Sequence, residues 1–277
     1  MQAYPILSDG PIGIFDSGVG GLSVLRHIRQ TLPREDLLYF ADSGFAPYGD
    51  KPDQVIQERV FAIVAFLLER GAKAIVVACN TATAAAIEAL RSRYPELPLV
   101  GVEPGLKPAA SLTQTKIVGV MATRGTLFSK KFMHLHDQIV TTSHIRFLLQ
   151  PCAGLASQIE RGELDSEATV ELVKRYLAPL VTQNIDTLVL GCTHYPFILP
   201  VIEEGIRALG GCAIQILDTG APVSRQLHKL LINNRLTRTT DQVGVIQGFT
   251  SGRAQALAVA FDNLLDLAPP VSTIILA

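Results

Sequence analysis

The sequence VVACNTATAAAI, residues 76–87, passes from an apolar run into an alanine-rich stretch, with Cys79, Asn80 and Thr81 at the change. A second segment, LVLGCTHYPFIL at residues 188–199, has the same order, with Cys192 at the corresponding place. Short apolar, β-branched runs are typical of buried strands, and longer periodic stretches are typical of helices. Each cysteine is therefore predicted where a strand ends and a helix begins.

Apolar runs followed by longer amphipathic stretches recur along the whole chain. The runs lie at residues 12–15, 37–41, 74–78, 99–102, 117–121, 187–191, 214–218 and 243–248. Strands that are apolar throughout and alternate with helices are typical of parallel sheets covered by helices, so the sequence predicts an α/β fold. Ligands of such sheets bind beyond the carboxyl ends of the strands, which directs attention to the polar residues after each run.

Three pairs of strand-end motifs occur in the same order in two parts of the chain. The first pair begins at Gly13 and Gly119, the second contains Cys79 and Cys192, and the third begins at Val100 and Ile214. The offsets within the pairs lie between 106 and 114 residues. Such a repeat predicts two pseudo-symmetric lobes, each a mostly parallel sheet flanked by helices, with the active site between the lobes.

The predicted lobe boundaries follow from breaks in the helical pattern. Pro95 and Pro98 interrupt one stretch, and LGGC at residues 209–212 marks a second crossover. We expect a discontinuous first lobe of residues 1–98 and 213–277, and a second lobe of residues 99–212.

Composition limits the classes of partner. Lys and Arg number 24 against 25 Asp and Glu, a formal net charge of −1, so no overall field attracts nucleic acid or an anionic membrane. The chain contains no run of about 18 apolar residues, and its first residues lack the pattern of a signal peptide. We expect a cytoplasmic protein with a small-molecule ligand and reduced thiols. The cysteine spacings fit no zinc pattern, so no metal is expected.

Two cysteines at repeat-equivalent strand ends are candidates for chemistry. Backbone N–H groups and the helix dipole at such a junction stabilise an anion, which suits a nucleophile or a base. A lone buried cysteine is more often a packing residue, but Cys79 and Cys192 share their position and their threonine neighbours. Two facing thiols could form a disulfide, bind a metal, or serve as acid and base on opposite sides of one ligand. The third interpretation is favoured, because a CxxC pair and further metal ligands are both missing.

Polar residues after other strands add to the candidate site. Asp16 and Ser17, in DSGVGG at residues 16–21, could bind the ammonium and carboxylate of a small zwitterion, or Asp16 could cap the following helix. Tyr48 and Gly49 lie in a Pro-Tyr-Gly turn that is predicted as a loop near the strand ends.

The remaining candidates have competing interpretations. His194 points away from Cys192 if the backbone is still extended there, and it is either a proton donor or a structural histidine. Glu160 lies on a helical pattern, where a solvated surface acid is the default interpretation. Cys152 and Cys212 lack polar neighbours of this kind and are predicted to be packing residues.

Five ordered motifs resemble those of glutamate racemases. They are FDSGVGGLSV, ADSGFAPYGDK, VVACNTATA, GVEPGLKPA and LVLGCTHYPF, and they extend over nearly the whole chain. The resemblance implies a cofactor-independent enzyme that interconverts L- and D-glutamate, supplies D-glutamate for peptidoglycan, and forms a homodimer.

The same resemblance implies roles for individual residues. Cys79 takes the Cα proton of D-glutamate and Cys192 that of L-glutamate, on opposite faces. Asp16, Glu160 and His194 match auxiliary acid–base positions. The substrate-binding positions that the resemblance implies are Asp16, Ser17, Tyr48, Gly49, Asn80, Thr81, Thr193 and His194. Two alternatives stay open: an aspartate racemase, whose substrate is one methylene shorter, and a non-catalytic amino-acid-binding or inhibitory module.

Overall fold

The computed structural model describes residues 6–211 and 213–276. These residues form two compact units: one runs to Val102 and continues from Gly220, and the other comprises Glu103–Thr219. Each unit contains a sheet whose strands pair in parallel. The predicted α/β class is confirmed, whereas the predicted boundaries at 98/99 and 212/213 stay a prediction.

The first unit is built on six strands. They are β1 Ile12–Asp16, β2 Leu37–Ala41, β3 Ala74–Val77, β4 Leu99–Gly101, β9 Ile246–Thr250 and β10 Val271–Thr273. Their order in the sheet is β10-β9-β2-β1-β3-β4. The helices are α1 Leu22–Thr31, α2 Asp53–Glu69, α3 Asn80–Arg93, α10 Gly220–Asn233 and α11 Ala254–Leu265, with a short 3₁₀ helix at Tyr48–Asp50. Every residue of β1, β2 and β3 is buried, as expected for central strands covered on both faces.

The second unit is built on four strands. They are β5 Ile117–Ala122, β6 Arg146–Pro151, β7 Thr187–Gly191 and β8 Gln215–Leu217, in the order β6-β5-β7-β8. The helices are α4 Leu106–Leu112, α5 Arg124–Leu127, α6 Lys130–Ser143, α7 Leu155–Glu160, α8 Glu167–Val181 and α9 Leu199–Ala208, and a 3₁₀ helix spans Tyr195–Ile198.

The two sheets share a strand order that corresponds to the predicted repeat. The order β2-β1-β3-β4 in the first unit matches β6-β5-β7-β8 in the second. In this correspondence β3 matches β7, and Cys79 and Cys192 follow these two strands. The two cysteines therefore occupy equivalent strand ends, each within its own unit.

Helices cover the sheets through apolar side chains. In α2, a helix of 17 residues, the buried side chains recur at three- and four-residue spacing, from Ile56 and Val60 to Ile63, Val64 and Leu67. No helix within residues 6–211 and 213–276 has both the length and the apolar character needed to cross a membrane.

Candidate active site

Cys79 is the N-cap of α3 and lies at the carboxyl end of β3. Its sulfur accepts a hydrogen bond from the backbone N–H of Ala82 at 3.4 Å. The thiol also lies 3.7 Å from Ser17 Oγ, and the Ser17 hydroxyl donates to Asp16 Oδ1 at 3.0 Å. Because β1 and β3 pair in parallel, their carboxyl ends meet at one edge of the sheet. The first unit thus brings three predicted site residues together in a polar chain that ends at a sulfur.

Asp16 is fully buried and is the last residue of β1, directly before the glycine-rich turn. Its Oδ1 also accepts from Gly18 N–H at 2.9 Å. The N-cap of α1 is Gly21, five residues after Asp16, and the capping interpretation of Asp16 stays an alternative. A Cβ on Gly21 would lie 2.6 Å from Asp16 Cβ, so this close approach requires glycine.

Asn80 and Thr81 form the first turn of α3, and both are buried. Backbone N–H groups of a first turn have no partner within their own helix. Asn80 is 5% exposed, and neither its Oδ1 nor its Nδ2 has a hydrogen-bond partner among the described residues. Leaving a buried amide unpaired costs about 1–3 kcal/mol, so these atoms fit a ligand with both donor and acceptor groups.

Tyr48 lies in the loop between β2 and α2, next to the half-buried Gly49. It is 1% exposed, and its hydroxyl donates to Asp42 Oδ2 at 2.5 Å. Burial raises the pKa of Tyr48 well above its ordinary value, and the charge of Asp42, the hydrogen bond to it, and the charge of Cys79 raise it further. Tyr48 therefore keeps its proton and lies within electrostatic reach of the Cys79 sulfur.

The second unit places Cys192, His194 and Glu160 in a chain. Cys192 Sγ lies 3.7 Å from His194 Nδ1, and His194 Nε2 lies 2.9 Å from Glu160 Oε2. Burial alone would lower the pKa of His194, but its hydrogen bonds with Cys192 and Glu160 and their negative charges outweigh burial. The pKa of His194 is consequently raised well above its ordinary value, which favours the imidazolium form, in which both nitrogens are donors.

Local backbone geometry explains why His194 faces Cys192. His194 has helical φ and ψ of −74° and −34°, ahead of the 3₁₀ helix, so the strand has already ended. The prediction that His194 points away from Cys192 assumed an extended backbone at this position, and it is therefore wrong. The interpretation of Glu160 as a solvated surface acid is also wrong, because its side chain is only 19% exposed and pairs with His194. Thr193, between the cysteine and the histidine, is buried.

Cys152 is a buried free thiol that donates to the Gln150 carbonyl at 3.3 Å. Burial raises its pKa, which favours the neutral thiol. Pro151 and Gly191 both pair with Ala122, so Cys152 and Cys192 follow strands about 10 Å apart, beyond the reach of a disulfide. Cys212 lies outside the described residues. Within residues 6–211 and 213–276, no three His, Cys, Asp or Glu side chains are grouped to hold a metal ion.

The surroundings of Tyr48 contain residues to which the sequence analysis assigned no role. Asp42 accepts from Arg59 Nε at 3.1 Å and Nη2 at 2.7 Å, and from Ser251 Oγ at 2.6 Å. Asp42 follows β2 directly and is one of the polar strand-end residues that the α/β pattern indicates. Ser251 follows β9 directly, so the same criterion could have found it. Arg59 lies within α2 and has no such signal.

The known proteins that this chain resembles are amino-acid racemases. The sequence profile of the Asp/Glu/hydantoin racemase family matches residues 12–223. A glutamate racemase from Ectopseudomonas mendocina is 50% identical over 258 residues, covering 93% of this chain and 95% of that protein. The crystal structure of the glutamate racemase isoform RacE1 from Bacillus anthracis superposes with a TM-score of 0.86 at 31% identity, covering 96% and 98% of the two chains. That of the Francisella tularensis glutamate racemase in complex with D-glutamate gives 0.83 at 30% identity, covering 98% and 99%.

The protein is thus an α/β racemase-type enzyme with a strand-end cysteine in each of two sheets. It belongs to the Asp/Glu/hydantoin racemase family. The resemblance to glutamate racemases that the five motifs predicted is confirmed, as is the assignment to the amino-acid racemases.

Proposed function

We propose that the chain is a glutamate racemase that interconverts L- and D-glutamate without a cofactor, through two thiols. The observation that carries the proposal is the pair of cysteines at equivalent strand ends, each next to its own polar chain. The names of the similar proteins, one of them in complex with D-glutamate, support the choice of substrate.

The reaction removes the Cα proton on one face and delivers a proton on the other. We assign Cys192 as the base for L-glutamate and Cys79 as the base for D-glutamate. In the L-to-D direction the Cys192 thiolate takes the proton and the Cys79 thiol supplies one, so each turnover ends with the protonation states exchanged. Both sulfurs must reach the same Cα, and the next turnover in this direction requires their protons to be exchanged.

The polar chains supply that exchange in the proposed mechanism. His194 is a buried cation beside Cys192, and Glu160 holds it from the other nitrogen. Asp16 accepts the Ser17 hydroxyl, whose oxygen in turn accepts from the Cys79 thiol. The imidazole of His194 and the carboxylate of Asp16 can each donate or accept a proton, which fits auxiliary acid–base roles beside Cys192 and Cys79, respectively.

Carbanion stabilisation is the demanding part of the reaction. A Cα–H next to a carboxylate is far less acidic than a thiol, so the developing charge needs fixed donors in a site that excludes water. We assign binding of the substrate to Asp16, Ser17, Asn80, Thr81, Thr193 and His194, and to the Tyr48–Gly49 turn. The unpaired amide of Asn80 is the strongest support for this assignment, since it can both donate and accept.

The biological setting of the proposal follows from its product. D-glutamate is a component of peptidoglycan, so the enzyme would serve cell-wall synthesis. A cytoplasmic location, a homodimer and the absence of nucleic-acid partners stay predictions of the sequence and of the resemblance.

The direct test supplies the purified protein with L-glutamate or L-aspartate, without cofactor, and separates the enantiomers by chiral chromatography. We expect D-glutamate to form, and in D₂O the product should carry solvent deuterium at Cα. Faster conversion of aspartate would support the aspartate alternative, and no D-product above a boiled control would leave only a binding module.

The two-thiol assignment is tested by Cys79→Ser and Cys192→Ser. Each should lower kcat by about a hundredfold or more, because a hydroxyl is a far weaker acid than a thiol. Cys152→Ser is the matched control: it alters a buried thiol of the second unit, and serine can keep the hydrogen bond to Gln150. Near wild-type turnover in either of the first two variants contradicts the assignment.

A further inference from the structure

Asp42 is a fully buried carboxylate on which three separate parts of the first unit converge. Tyr48 reaches it from the loop after β2, Arg59 from α2, and Ser251 from the residue that follows β9. The backbone N–H of Asp42 donates to the Asp16 carbonyl at 3.0 Å, so this cluster lies beside the turn that carries Asp16 and Ser17.

The carboxylate has no remaining capacity for a ligand. Oδ1 accepts from Arg59 Nη2 at 2.7 Å and Ser251 Oγ at 2.6 Å, while Oδ2 accepts from Tyr48 at 2.5 Å and Arg59 Nε at 3.1 Å. A carboxylate offers about four lone-pair positions, and all four are occupied here. Any influence of Asp42 on the reaction must therefore pass through the groups that it holds.

Those groups define the conformation of residues 43–51. Arg59 stacks on the Phe45 ring, with its central carbon 3.8 Å from the ring centroid. Ser251 Oγ accepts from Gly44 N–H at 3.0 Å, and the Tyr48 hydroxyl is bound to Asp42 itself. Three residues of the loop, Gly44, Phe45 and Tyr48, are therefore each fixed to Asp42 or to one of its partners.

We propose that Asp42 is a positioning residue for the substrate: its carboxylate holds residues 43–51 in the conformation in which Tyr48 and Gly49 meet glutamate. The proposal rests on the proposed function and extends it by naming the group that shapes this wall of the site. Tyr48 donates its only proton to Asp42, so its hydroxyl offers the substrate lone pairs and no proton.

Asp42→Asn is the informative substitution because it keeps the size of the side chain, replaces one acceptor oxygen by an NH₂ donor and removes the negative charge. Each carboxylate oxygen faces two donors, so either orientation of the amide sets its NH₂ group against two of them. We expect the loop to loosen, which raises KM for both enantiomers about tenfold and changes kcat by less than about threefold. Because the enantiomers have equal free energy in water, kcat/KM must fall by the same factor in both directions.

Glu35→Gln is the matched control, since Glu35 lies before β2 and Asp42 lies after it. Glu35 is also buried: Lys73 Nζ lies 2.5 Å from its Oε2, and Arg238 N–H donates to its Oε1 at 2.9 Å. This variant should lower the thermal midpoint as Asp42→Asn does, but leave KM unchanged. Three outcomes overturn the proposal. Asp42→Asn could have the KM of the wild type, it could lose only kcat, or Glu35→Gln could show the same rise in KM.

Two further measurements keep the proposal testable if Asp42→Asn folds poorly or the substrate is wrong. Ser251→Ala, at a residue outside the assigned substrate-binding positions, removes one donor to Asp42 and the acceptor of Gly44 N–H, and should raise KM about two- to threefold. Hydrogen exchange of residues 43–51, measured without glutamate, should quicken in Asp42→Asn and not in Glu35→Gln. If wild-type protein failed to racemise glutamate, the proposed function would fall, whereas unchanged exchange would refute the role of Asp42 alone.

Discussion

His194 is a buried histidine between two side chains that are negative when ionised, Cys192 and Glu160. Burial lowers the pKa of His194, but its hydrogen bonds with Cys192 and Glu160 and the charges of these partners raise it by more. The pKa of His194 therefore lies well above the ordinary value of 6.5. For a folded-state pKa above the unfolded value, the stabilising contribution is complete below about pH 6.5 and is lost as pH rises through the folded pKa.

Glu160→Gln should lower the pKa of His194, because the amide keeps the shape but removes one of the two opposing charges. Burial then weighs more heavily against the imidazolium. NMR titration of the histidine ring resonances measures the change, and the other five histidines of the chain serve as internal controls. An unshifted His194 titration would show that Glu160 does not hold the proton on the ring.

The residues of the candidate site differ in how far the sequence could predict them. Asp16 ends β1, and Cys79 and Cys192 follow β3 and β7. Within each parallel sheet the carboxyl ends of the strands lie at one edge, so local pattern was sufficient. Glu160 is 34 residues from His194, and their contact depends on how α7 packs, which no local pattern encodes. Without the family resemblance, Glu160 would have been left as a surface acid.

At the scale of elements, Asp186 links the entrance of β7 to the segment between α4 and β5. Its carboxylate accepts from the Thr113 hydroxyl at 2.6 Å and from the N–H groups of Gln114 and Thr115 at 2.6 and 2.7 Å. Burial alone would raise the pKa of Asp186, but these hydrogen bonds and one from Thr187 lower it to about 2.

Asp186→Asn should destabilise the protein by about 1–2 kcal/mol at neutral pH, after allowance for solvent screening of a partly exposed group. For a depressed carboxyl pKa, the contribution is present above about pH 4 and is lost as pH falls toward 2. Urea unfolding of both proteins at several pH values measures the difference. Glu204→Gln, at an exposed Arg207 pair, should change stability by less than about 0.5 kcal/mol. A difference for Asp186→Asn that is independent of pH would argue against the charged form as its source.

Strands were predictable where they are apolar and central, and less so at the edges. The runs at 12–15, 37–41 and 187–191 match β1, β2 and β7. The run at 243–248 enters β9 only at Ile246, because Gly244 N–H bonds to the Pro33 carbonyl and Val245 N–H to Asp36 Oδ1. The edge strands β6 and β10 were not predicted: β6 ends in a proline, and β10 has three residues, two of them exposed.

At the scale of the whole molecule, each unit has its own apolar core. In β5 of the second unit, Val118, Val120 and Ala122 join one buried cluster and Met121 another. Alternate residues of a strand point to opposite faces, so this sheet is covered on both faces by side chains of its own unit. All members of both clusters lie within Glu103–Thr219.

The second unit should therefore fold by itself when residues 103–219 are expressed alone. The segment is continuous in sequence, contains all four strands of its sheet, and is long enough to bury a self-sufficient core. We expect α/β circular dichroism, a single cooperative thermal transition, and the Cys192–His194–Glu160 arrangement, recognisable by a raised His194 pKa. It should not racemise glutamate, because it lacks Cys79.

A control fragment that ends at Gly191 keeps β5, β6 and β7 but lacks β8 and α9, which supplies Ile202 and Ile206 to the core. That fragment should lose the cooperative transition. If it kept the transition, or if residues 103–219 showed none, the core clusters would not define the folding unit.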